Sequence, residues 1–210
     1  MMKKNLWNWL IVALSFIAGM ISYSSLPGTL PVHWNVYGEP DRYAGKMFAL
    51  FLIPAIMVLL MLLFKYLPKI DPKLAASSST IKSTDSINQI LMLGLAAIQG
   101  FNIAYGYGVQ LDIQMVVIPF IGILYITIGN YLPRMKPNRI VGIKTPLTLN
   151  NEQVWRKTHQ LSAKIFFWGG FLIIVTVFLP GMLQLISFLT VVVLVSILSV
   201  FSLVFVAKKN

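Results

Sequence analysis

The sequence contains no cysteine and few charged residues. The absence of cysteine excludes disulfides, thiolate metal sites, iron–sulfur clusters and cysteine nucleophiles. Charged residues make up 11% of the 210 residues and hydrophobic residues 57%, whereas a soluble domain is about 25% charged. The mean hydropathy is +0.78. A soluble core built from this composition would leave an apolar surface, so the sequence excludes a water-soluble globule and predicts that the lipid bilayer is its solvent.

Charged residues divide the chain into uncharged stretches that are long enough to cross a bilayer. Leu6 to Leu26 and Met47 to Phe64 are the first two, and 26 uncharged residues follow Asp85 while 21 follow Asp112. About 20 apolar residues span the hydrocarbon core, and a charge at its centre costs at least about 2.5 kcal/mol. These stretches predict four transmembrane helices.

A further 43 uncharged residues separate Lys164 from Lys208. One helix of that length would run about 64 Å, roughly twice the thickness of the hydrocarbon core. The stretch must therefore fold back, and Pro180-Gly181 is its strong breaker pair. The predicted fold class is all-α, a polytopic membrane bundle of six transmembrane helices.

The basic residues are distributed unequally between the two sides of this bundle. Of the 17 lysines and arginines, only Arg42 and Lys46 fall on the side opposite the termini. The positive-inside rule then places both termini in the cytoplasm. This arrangement accounts for the net charge of +11, so we predict no direct binding of nucleic acid. The fifteen residues on the predicted cytoplasmic side are Lys3, Lys4, Lys65, Lys69, Lys73, Lys82, Arg134, Lys136, Arg139, Lys144, Arg156, Lys157, Lys164, Lys208 and Lys209.

The first span has some features of a cleaved signal peptide. Lys3 and Lys4 precede an apolar run, and Ser22-Tyr23-Ser24 is similar to a cleavage site. The apolar run is longer than the roughly 7–15 residues of a signal peptide core. We therefore expect an uncleaved membrane span.

The sequence predicts two modules joined by a linker. Residues 1–68 form an amino-terminal module of two spans and an external loop, residues 69–85 a cytoplasmic linker, and residues 86–210 a carboxy-terminal module of four spans and a basic cytoplasmic loop. The small polar run Ala75 to Thr80 is typical of a loop. Ser86 and Gln89 have the spacing of a capping box that would begin the third span.

A short helix is predicted before the fifth span. Asn150 or Asn151 is the candidate cap for Glu152 to Leu161, and we expect Trp155 on the wetter membrane face of this helix. Pro54 and Pro119 each remove one backbone donor inside a span, which favours kinks or water-lined gaps.

The third predicted span carries two amide side chains three residues apart. Gln99 and Asn102 share a helical face and either bond a neighbouring helix or line a polar cavity. No Asp, Glu, Lys, Arg or His lies inside any predicted span, which argues against a proton-coupled pump. A transporter or exporter of small solutes remains an alternative function.

The two histidines fall on opposite sides of the bilayer, so they cannot share a catalytic or metal centre. His33 has Glu39 and Asp41 nearby, but without the spacing of a known metal site. His159 has Glu152 and Ser162 nearby, without a nucleophile elbow. We predict no enzyme, no catalytic residue, no metal and no cofactor.

Two loops are rich in aromatic, proline and basic residues, which are types that often contact binding partners. The external loop combines prolines with Trp34, Tyr37 and Tyr43, which is typical either of a binding loop or of an aromatic belt at the membrane interface. The basic cytoplasmic loop, residues 138–159, either holds anionic lipid or presents a docking face to a cytosolic protein.

Each of these loops contains a distinctive motif. The external motif is Leu26-Pro27, Leu30-Pro31, His33-Trp34-Asn35, Gly38, Pro40-Asp41-Arg42-Tyr43 and Gly45-Lys46. The cytoplasmic motif is Pro137-Asn138-Arg139, Gly142-Ile143-Lys144-Thr145-Pro146, Thr148-Leu149, Glu152 and Val154-Trp155-Arg156-Lys157-Thr158-His159. In these two motifs the sequence resembles the SdpI-like family of bacterial immunity proteins, which act against a secreted sporulation-delaying toxin. Leu147 departs from the tryptophan expected between Pro146 and Thr148.

The resemblance implies a multi-pass plasma membrane protein that protects a Gram-positive cell from a membrane-active peptide. It also implies a signalling role, in which the immunity protein holds a cognate transcriptional repressor at the membrane. The expected partners are therefore the lipid bilayer, a secreted toxin peptide and a cytosolic transcriptional repressor. Residues expected to face the toxin or to structure the external loop are His33, Trp34, Asn35, Asp41, Arg42 and Tyr43. Residues expected to face the cytoplasmic partner are Asn138, Arg139, Lys144, Thr145, Pro146, Trp155, Arg156, Lys157 and His159.

Overall fold

A computed structural model describes residues 2–207. Within them, six helices are long and apolar enough to cross a membrane, which confirms the predicted six-helix bundle. Lys208 and Lys209, which the topology prediction used, lie outside the described residues. The elements are α1 (Met2–Tyr23), β1 (Thr29–Trp34), β2 (Pro40–Gly45), α2 (Lys46–Ile70), α3 (Pro72–Ala75), α4 (Ser78–Gly106), α5 (Gln114–Tyr131), α6 (Pro146–Asn150), α7 (Glu152–Thr176) and α8 (Gly181–Ala207).

The segment expected to be a loop before the third span is largely helical. Asp71 caps α3 by accepting a hydrogen bond from the backbone N–H of Lys73, and the Ser77 side chain caps α4 by accepting one from Thr80. The expectation of a loop over Ala75 to Thr80 is therefore wrong. So is the expected start at Ser86, which lies inside α4. Serine is typical of loops but is also a preferred helix cap, and here the capping role applies.

The fifth span begins earlier than the uncharged stretch indicates. The Asn151 side chain accepts hydrogen bonds from the N–H groups of Gln153 and Val154, so Asn151 caps this helix. Of the two predicted candidates, Asn150 and Asn151, the second is therefore the cap. The helix that begins there continues to Thr176, and the expected short helix is part of α7. The charges of α7 lie in its first turns, where the helix extends beyond the apolar run. The break at Pro180-Gly181 is confirmed, because α8 begins at Gly181.

The external loop is a β-hairpin. Strands β1 and β2 pair antiparallel, with Thr29 opposite Gly45 and Trp34 opposite Pro40, and the register is irregular around His33. The Lys46 ammonium group donates hydrogen bonds to the carbonyls of Tyr23 and Leu26, and so satisfies backbone acceptors at the end of α1.

The helices pack as two groups. Helices α1, α2 and α4 share a core that includes Val12, Met57 and Met92. Gln99 of this group donates a hydrogen bond of 2.8 Å to the Leu50 carbonyl. Pro54 has no N–H to offer that carbonyl, so Gln99 replaces the missing helical hydrogen bond.

Helices α5 and α7 pack through glycines. A Cβ atom at Gly170 would lie 2.5 Å from the Gly122 carbonyl oxygen, and one at Gly129 would lie 2.7 Å from the Ala163 carbonyl oxygen. Such close backbone approach is typical of membrane helices, in which small residues permit tight van der Waals packing.

The bundle has two distinct ends. The hairpin, the α4–α5 turn and the α7–α8 turn form the end that we call the hairpin side. The segments 71–77 and 132–151 form the opposite end, which we call the basic side. The Gln114 side chain joins the hairpin to α5 by donating to the Val36 carbonyl at 2.9 Å. On the basic side, the N–H of Arg139 donates to Asp71 at 2.6 Å, and that of Lys136 donates to the Thr80 hydroxyl at 3.0 Å.

Candidate functional site

The tip of the hairpin is organised by Asn35. Its side-chain oxygen accepts hydrogen bonds from the N–H groups of Tyr37 and Glu39, and its amide group donates to the Glu39 carboxylate. Gly38 has φ +80°, and a Cβ atom there would lie 2.7 Å from a carboxylate oxygen of Asp112. Asn35 therefore structures the turn, and Gly38 allows the turn to lie against the start of α5.

The side chains of His33 and Asp41 form a hydrogen bond across the two strands. The His33 Nδ1 atom lies 2.6 Å from the Asp41 carboxylate, and both side chains are exposed. The hydrogen bond from His33 lowers the pKa of Asp41 below its usual value, more than partial desolvation raises it. No group of three or more His, Cys, Asp or Glu among residues 2–207 is placed to hold a metal ion. The pair holds β1 to β2.

Trp34 connects the hairpin to α4. Its ring packs edge-on against Phe101 at 5.6 Å and against Tyr105 at 6.4 Å between centroids. Aromatic pairs in this geometry contribute about 0.5–1.5 kcal/mol beyond their buried area. Arg42 and Tyr43, in contrast, are exposed on β2. Of the three aromatic residues expected here, Trp34 fixes the hairpin, Tyr37 is exposed, and Tyr43 is exposed but hydrogen-bonded to the Tyr105 side chain.

A cavity of about 300 Å³ lies beneath the hairpin on its α5 and α8 side, and we call it the hairpin pocket. His33 and Gln114 supply polar groups to its wall, and the remaining lining is largely apolar. The cavity lies between the hairpin of the predicted amino-terminal module and helices α5 and α8 of the predicted carboxy-terminal module. The lining residues are Val32, His33, Trp34, Asn35, Val36, Ile113, Gln114, Val117, Ile118, Leu185 and Phe188.

The basic loop is built around buried polar residues. The Asn138 side-chain oxygen accepts hydrogen bonds from the N–H groups of Ile140 and Val141, and its amide group donates to the Lys136 and Val141 carbonyls. Asn138 is fully buried. The expectation that this side chain faces a partner is therefore wrong, because all of its hydrogen bonds are made within the loop.

Trp155 and His159 form the floor under the same loop. Their rings stack with centroids 4.0 Å apart, and the Trp155 indole N–H donates to the Met135 carbonyl at 2.8 Å. The His159 Nε2 atom accepts a hydrogen bond from the N–H of Ile143. Both side chains are buried, which corrects two expectations: Trp155 does not lie on a wet membrane face, and neither residue faces a partner. Each has a polar group that the loop backbone satisfies, which favours burial.

Gly142 lets the loop lie directly on this floor. Its φ is +110°, and a Cβ atom there would lie 2.5 Å from the His159 Nε2 atom and 3.1 Å from the Trp155 ring. Any larger side chain would push the loop off the two rings. The motif Gly142 to His159 therefore specifies one loop conformation.

The remaining predicted residues form the outer surface of the loop. Thr145 and Thr148 cap α6 reciprocally, with Pro146 in its first turn. Lys144 donates hydrogen bonds to the Arg139 and Ile140 carbonyls. The exposed side chains are those of Arg139, Lys144, Pro146 and Arg156, while Thr145 and Lys157 are half-buried.

Asp71 is a structural residue that sequence reasoning missed. Its carboxylate accepts hydrogen bonds from the N–H groups of Lys73 and Arg139 and so joins the linker to the basic loop. Burial alone would raise the pKa of Asp71, but these hydrogen bonds and the Arg139 charge outweigh it, and the pKa is lowered. The Asp71-Pro72 pair, a cap followed by a helix-starting proline, was the available signal.

Two family models match the chain. One, described as the SdpI/YfhL protein family, matches residues 134–206, and one described as a domain of unknown function, DUF1648, matches residues 10–58. These matches contain the basic loop and the hairpin, respectively.

Several known proteins are similar in sequence. The Immunity protein SdpI of Bacillus subtilis is 30% identical over 207 residues, which cover 94% of this chain and 93% of that protein. An uncharacterized membrane protein of Bacillus subtilis, YbgB, is 34% identical over 55 residues, 26% of this chain and 58% of that protein. An uncharacterized protein of Archaeoglobus fulgidus is 39% identical over 49 residues, 23% of this chain and 26% of that protein. No solved structure matches the chain. The chain is therefore a multi-pass membrane protein that belongs to the SdpI/YfhL protein family.

Proposed function

We propose that the protein is a plasma membrane immunity protein that protects a bacterial cell from a secreted, membrane-active peptide toxin. The observation that carries this proposal is the 30% identity to an immunity protein over 94% of the chain. Both segments that carry the resemblance are ordered by their own motif residues. Asn35 organises the hairpin, and Asn138 and Trp155 organise the basic loop.

The hairpin pocket is the proposed toxin-binding site. A peptide that acts on membranes must present apolar side chains, and the pocket offers an apolar lining with a few polar groups, as ligand sites do. Its volume of about 300 Å³ is at the lower end of ligand pockets, which suits a short segment of a peptide. From the positive-inside rule we expect this side to face the outside of the cell, where a secreted toxin arrives.

Filling the pocket tests this site. Val117 lines the pocket, and Val117→Phe should occupy part of its volume. Met115 lies two residues earlier on α5 and is exposed outside the pocket lining, so Met115→Phe is the matched control. A sensitive Gram-positive strain that expresses each variant is challenged with the sporulation-delaying toxin, and membrane protein levels are measured in parallel.

We expect Val117→Phe to reduce survival at a level of membrane protein at which Met115→Phe still protects. Equal protection by both variants would refute the pocket as the binding site. Failure of the unsubstituted chain to protect, despite membrane expression, would refute immunity to this toxin.

A second proposed role is the sequestration of a cognate transcriptional repressor at the membrane. It is supported by the exposed basic residues on the outer surface of the basic loop, above all Arg139 and Arg156. The repressor should co-purify with the unsubstituted protein and be lost from the Arg139→Gln, Arg156→Gln double variant. A Lys65→Gln, Lys69→Gln control removes the same charge elsewhere on the basic side. If equal amounts of the repressor co-purified with both double variants, the outer surface of the basic loop would not be its docking face.

A further inference from the structure

The two groups of helices meet in the middle of the membrane. The first group is α1, α2 and α4; in the second group, α7 packs against both α5 and α8. Between the groups, the Phe120 ring of α5 lies directly on Gly94 of α4, where any Cβ atom would collide with the ring. Gly94 is buried near the middle of α4. This contact, which we call the central contact, holds the second group against the first.

Cavities lie on both sides of the central contact. The hairpin pocket lies toward the hairpin side, where Gln114 of α5 lines it. A second cavity of about 300 Å³, which we call the loop pocket, lies toward the basic side between Ile87 of α4 and Ile128 of α5, beneath the basic loop. Well-packed interiors have few voids larger than a water molecule. The seam between the two groups is therefore tightly packed at its centre and loosely packed at both ends.

Two hydrogen bonds that cross this seam lie at the basic side. The N–H of Arg139 donates to Asp71 at 2.6 Å, and the N–H of Lys136 donates to the Thr80 hydroxyl at 3.0 Å. They join the loop that follows α5 to the linker and to α4. Both bonds therefore depend on the distance between the two groups at this end of the seam.

We propose that a ligand in the hairpin pocket tilts the two helix groups about the central contact, so that the hairpin side closes and the basic side opens. The proposal rests on the proposed function, in which a toxin segment occupies this pocket. Apolar walls move toward an apolar ligand, because a gap of about 0.5–1 Å loses roughly a quarter to a half of the dispersion attraction of each atom pair. Closure around a ligand is a common rigid-body movement of packed units. The tilt transmits occupation of the hairpin pocket to the basic loop, whose outer surface is the proposed docking face.

The lengths of α5 on the two sides of the central contact set the size of the movement. Gln114 lies about 9 Å from Phe120 along the helix axis, and Leu132, which follows α5, lies about 18 Å away in the opposite direction. Closure by about 1 Å at Gln114 therefore opens the seam by about 2 Å at Leu132. N–H···O hydrogen bonds extend only to about 3.2 Å. The bonds donated by Arg139 and Lys136 should therefore open.

Tethers of two lengths test the tilt without a toxin. The sequence contains no cysteine, so the double variant Val36→Cys, Gln114→Cys has one thiol on the hairpin and one on α5. These positions are neighbours, because the Gln114 side chain donates to the Val36 carbonyl. A short bis-methanethiosulfonate tether holds the hairpin side closed, and a long tether of the same chemistry leaves it at its present width. Hydrogen exchange of the full-length protein in lipid nanodiscs, followed by mass spectrometry, then measures the opening of the N–H groups of Lys136 and Arg139.

We expect segment 136–139 to exchange at least about fivefold faster with the short tether than with the long one, which is the lower end of couplings between two sites. Phe120→Ala removes the central contact and should abolish this difference. The matched control, Phe178→Ala, removes the same ring from a position that is 82% exposed, and it should retain the difference. Segment 163–170, where α7 packs closely on α5 and α8, should exchange at one rate with either tether.

Two outcomes with the tethers would refute the tilt. One is equal exchange of segment 136–139 with both tethers, and the other is faster exchange that extends to segment 163–170, which would indicate general unfolding. If the Phe120→Ala and Phe178→Ala proteins retained the same difference, the central contact would not be the pivot.

The sporulation-delaying toxin provides a separate arm of the test. Its addition to the unsubstituted protein should accelerate exchange of segment 136–139, as the short tether does. If the chain protects cells but the toxin leaves this exchange unchanged, the coupling is wrong and the immunity proposal stands. If the chain does not protect cells, the immunity proposal is wrong, and the tethers still decide whether the two groups tilt.

Discussion

The close approach of α5 and α7 makes one substitution informative, Gly170→Ala. The added Cβ atom would lie 2.5 Å from the Gly122 carbonyl oxygen and 2.8 Å from the Ile126 backbone nitrogen. Non-bonded heavy atoms are ordinarily at least about 3.5 Å apart, so the two helices must separate by about 1 Å. Backbone atoms cannot move aside as a flexible side chain can. Overpacking of this kind costs about 1–3 kcal/mol.

The matched control is Gly100→Ala in α4. Gly100 is exposed in the middle of a helix, and a Cβ atom there would meet nothing within 4 Å. Alanine is favoured over glycine in a helix by about 1 kcal/mol, so this variant should be as stable as the unsubstituted protein or more stable. The two variants make the same chemical change in opposite surroundings.

Thermal unfolding in a mild detergent measures both effects. For a chain of this size about 1 kcal/mol corresponds to a shift of about 2–4 °C in Tm. The gain in helix preference is common to both variants, so we expect the Tm of Gly170→Ala to lie roughly 2–12 °C below that of Gly100→Ala, which should match or exceed the Tm of the unsubstituted protein. A Gly170→Ala protein with a Tm equal to or above that of Gly100→Ala would refute the close packing of α5 against α7.

Two further stability predictions concern side chains that hydrogen-bond the backbone. Asp71→Asn should lower Tm at every pH above about 4. This difference in Tm should shrink as the pH falls below 3.8, the usual pKa of aspartate, because a lowered pKa stabilises the fold only while the carboxylate is charged. A difference in Tm that stays constant down to pH 3 would contradict this prediction. Gln99→Leu should cost about 0.6–1.7 kcal/mol in the natural background and much less in a Pro54→Ala background, where the new N–H can bond the Leu50 carbonyl. Equal losses in both backgrounds, measured as Tm in a double-mutant cycle, would show that Gln99 does not replace the missing helical bond.

The membrane-spanning part of the fold could be predicted from the sequence because the bilayer imposes a simple rule. Charges mark the ends of apolar stretches, and the uncharged run after Lys164 is too long for one helix, so the turn at Pro180-Gly181 followed directly. The Asn151 cap also followed, because a polar side chain at a helix start has a specific bonding role. These inferences use local physics and need no knowledge of tertiary contacts.

The parts outside the apolar stretches were predicted less well. Hydropathy says nothing about a helix beyond the membrane, so the start of α4 at Ser78 was missed, and the helix predicted from Glu152 was not recognised as continuous with the fifth span. The hairpin was missed because Pro31 and Pro40 argue against regular strands. Trp155 was misplaced because its burial depends on the Met135 carbonyl, 20 residues away in sequence. The candidate site residues were recognised by resemblance, but their separation into buried and exposed sets required the structure.

The two hydrogen bonds that join the linker to the basic loop have a consequence for sequence variation. In each bond one partner is a side chain, of Asp71 or Thr80, and the other is a backbone N–H, of Arg139 or Lys136. Any residue other than proline supplies that N–H, so the outer residues can change charge or size while the joint persists. The loop surface is thus free to vary in sequence, whereas Asp71 and Thr80 are constrained in every version of the protein that keeps this joint.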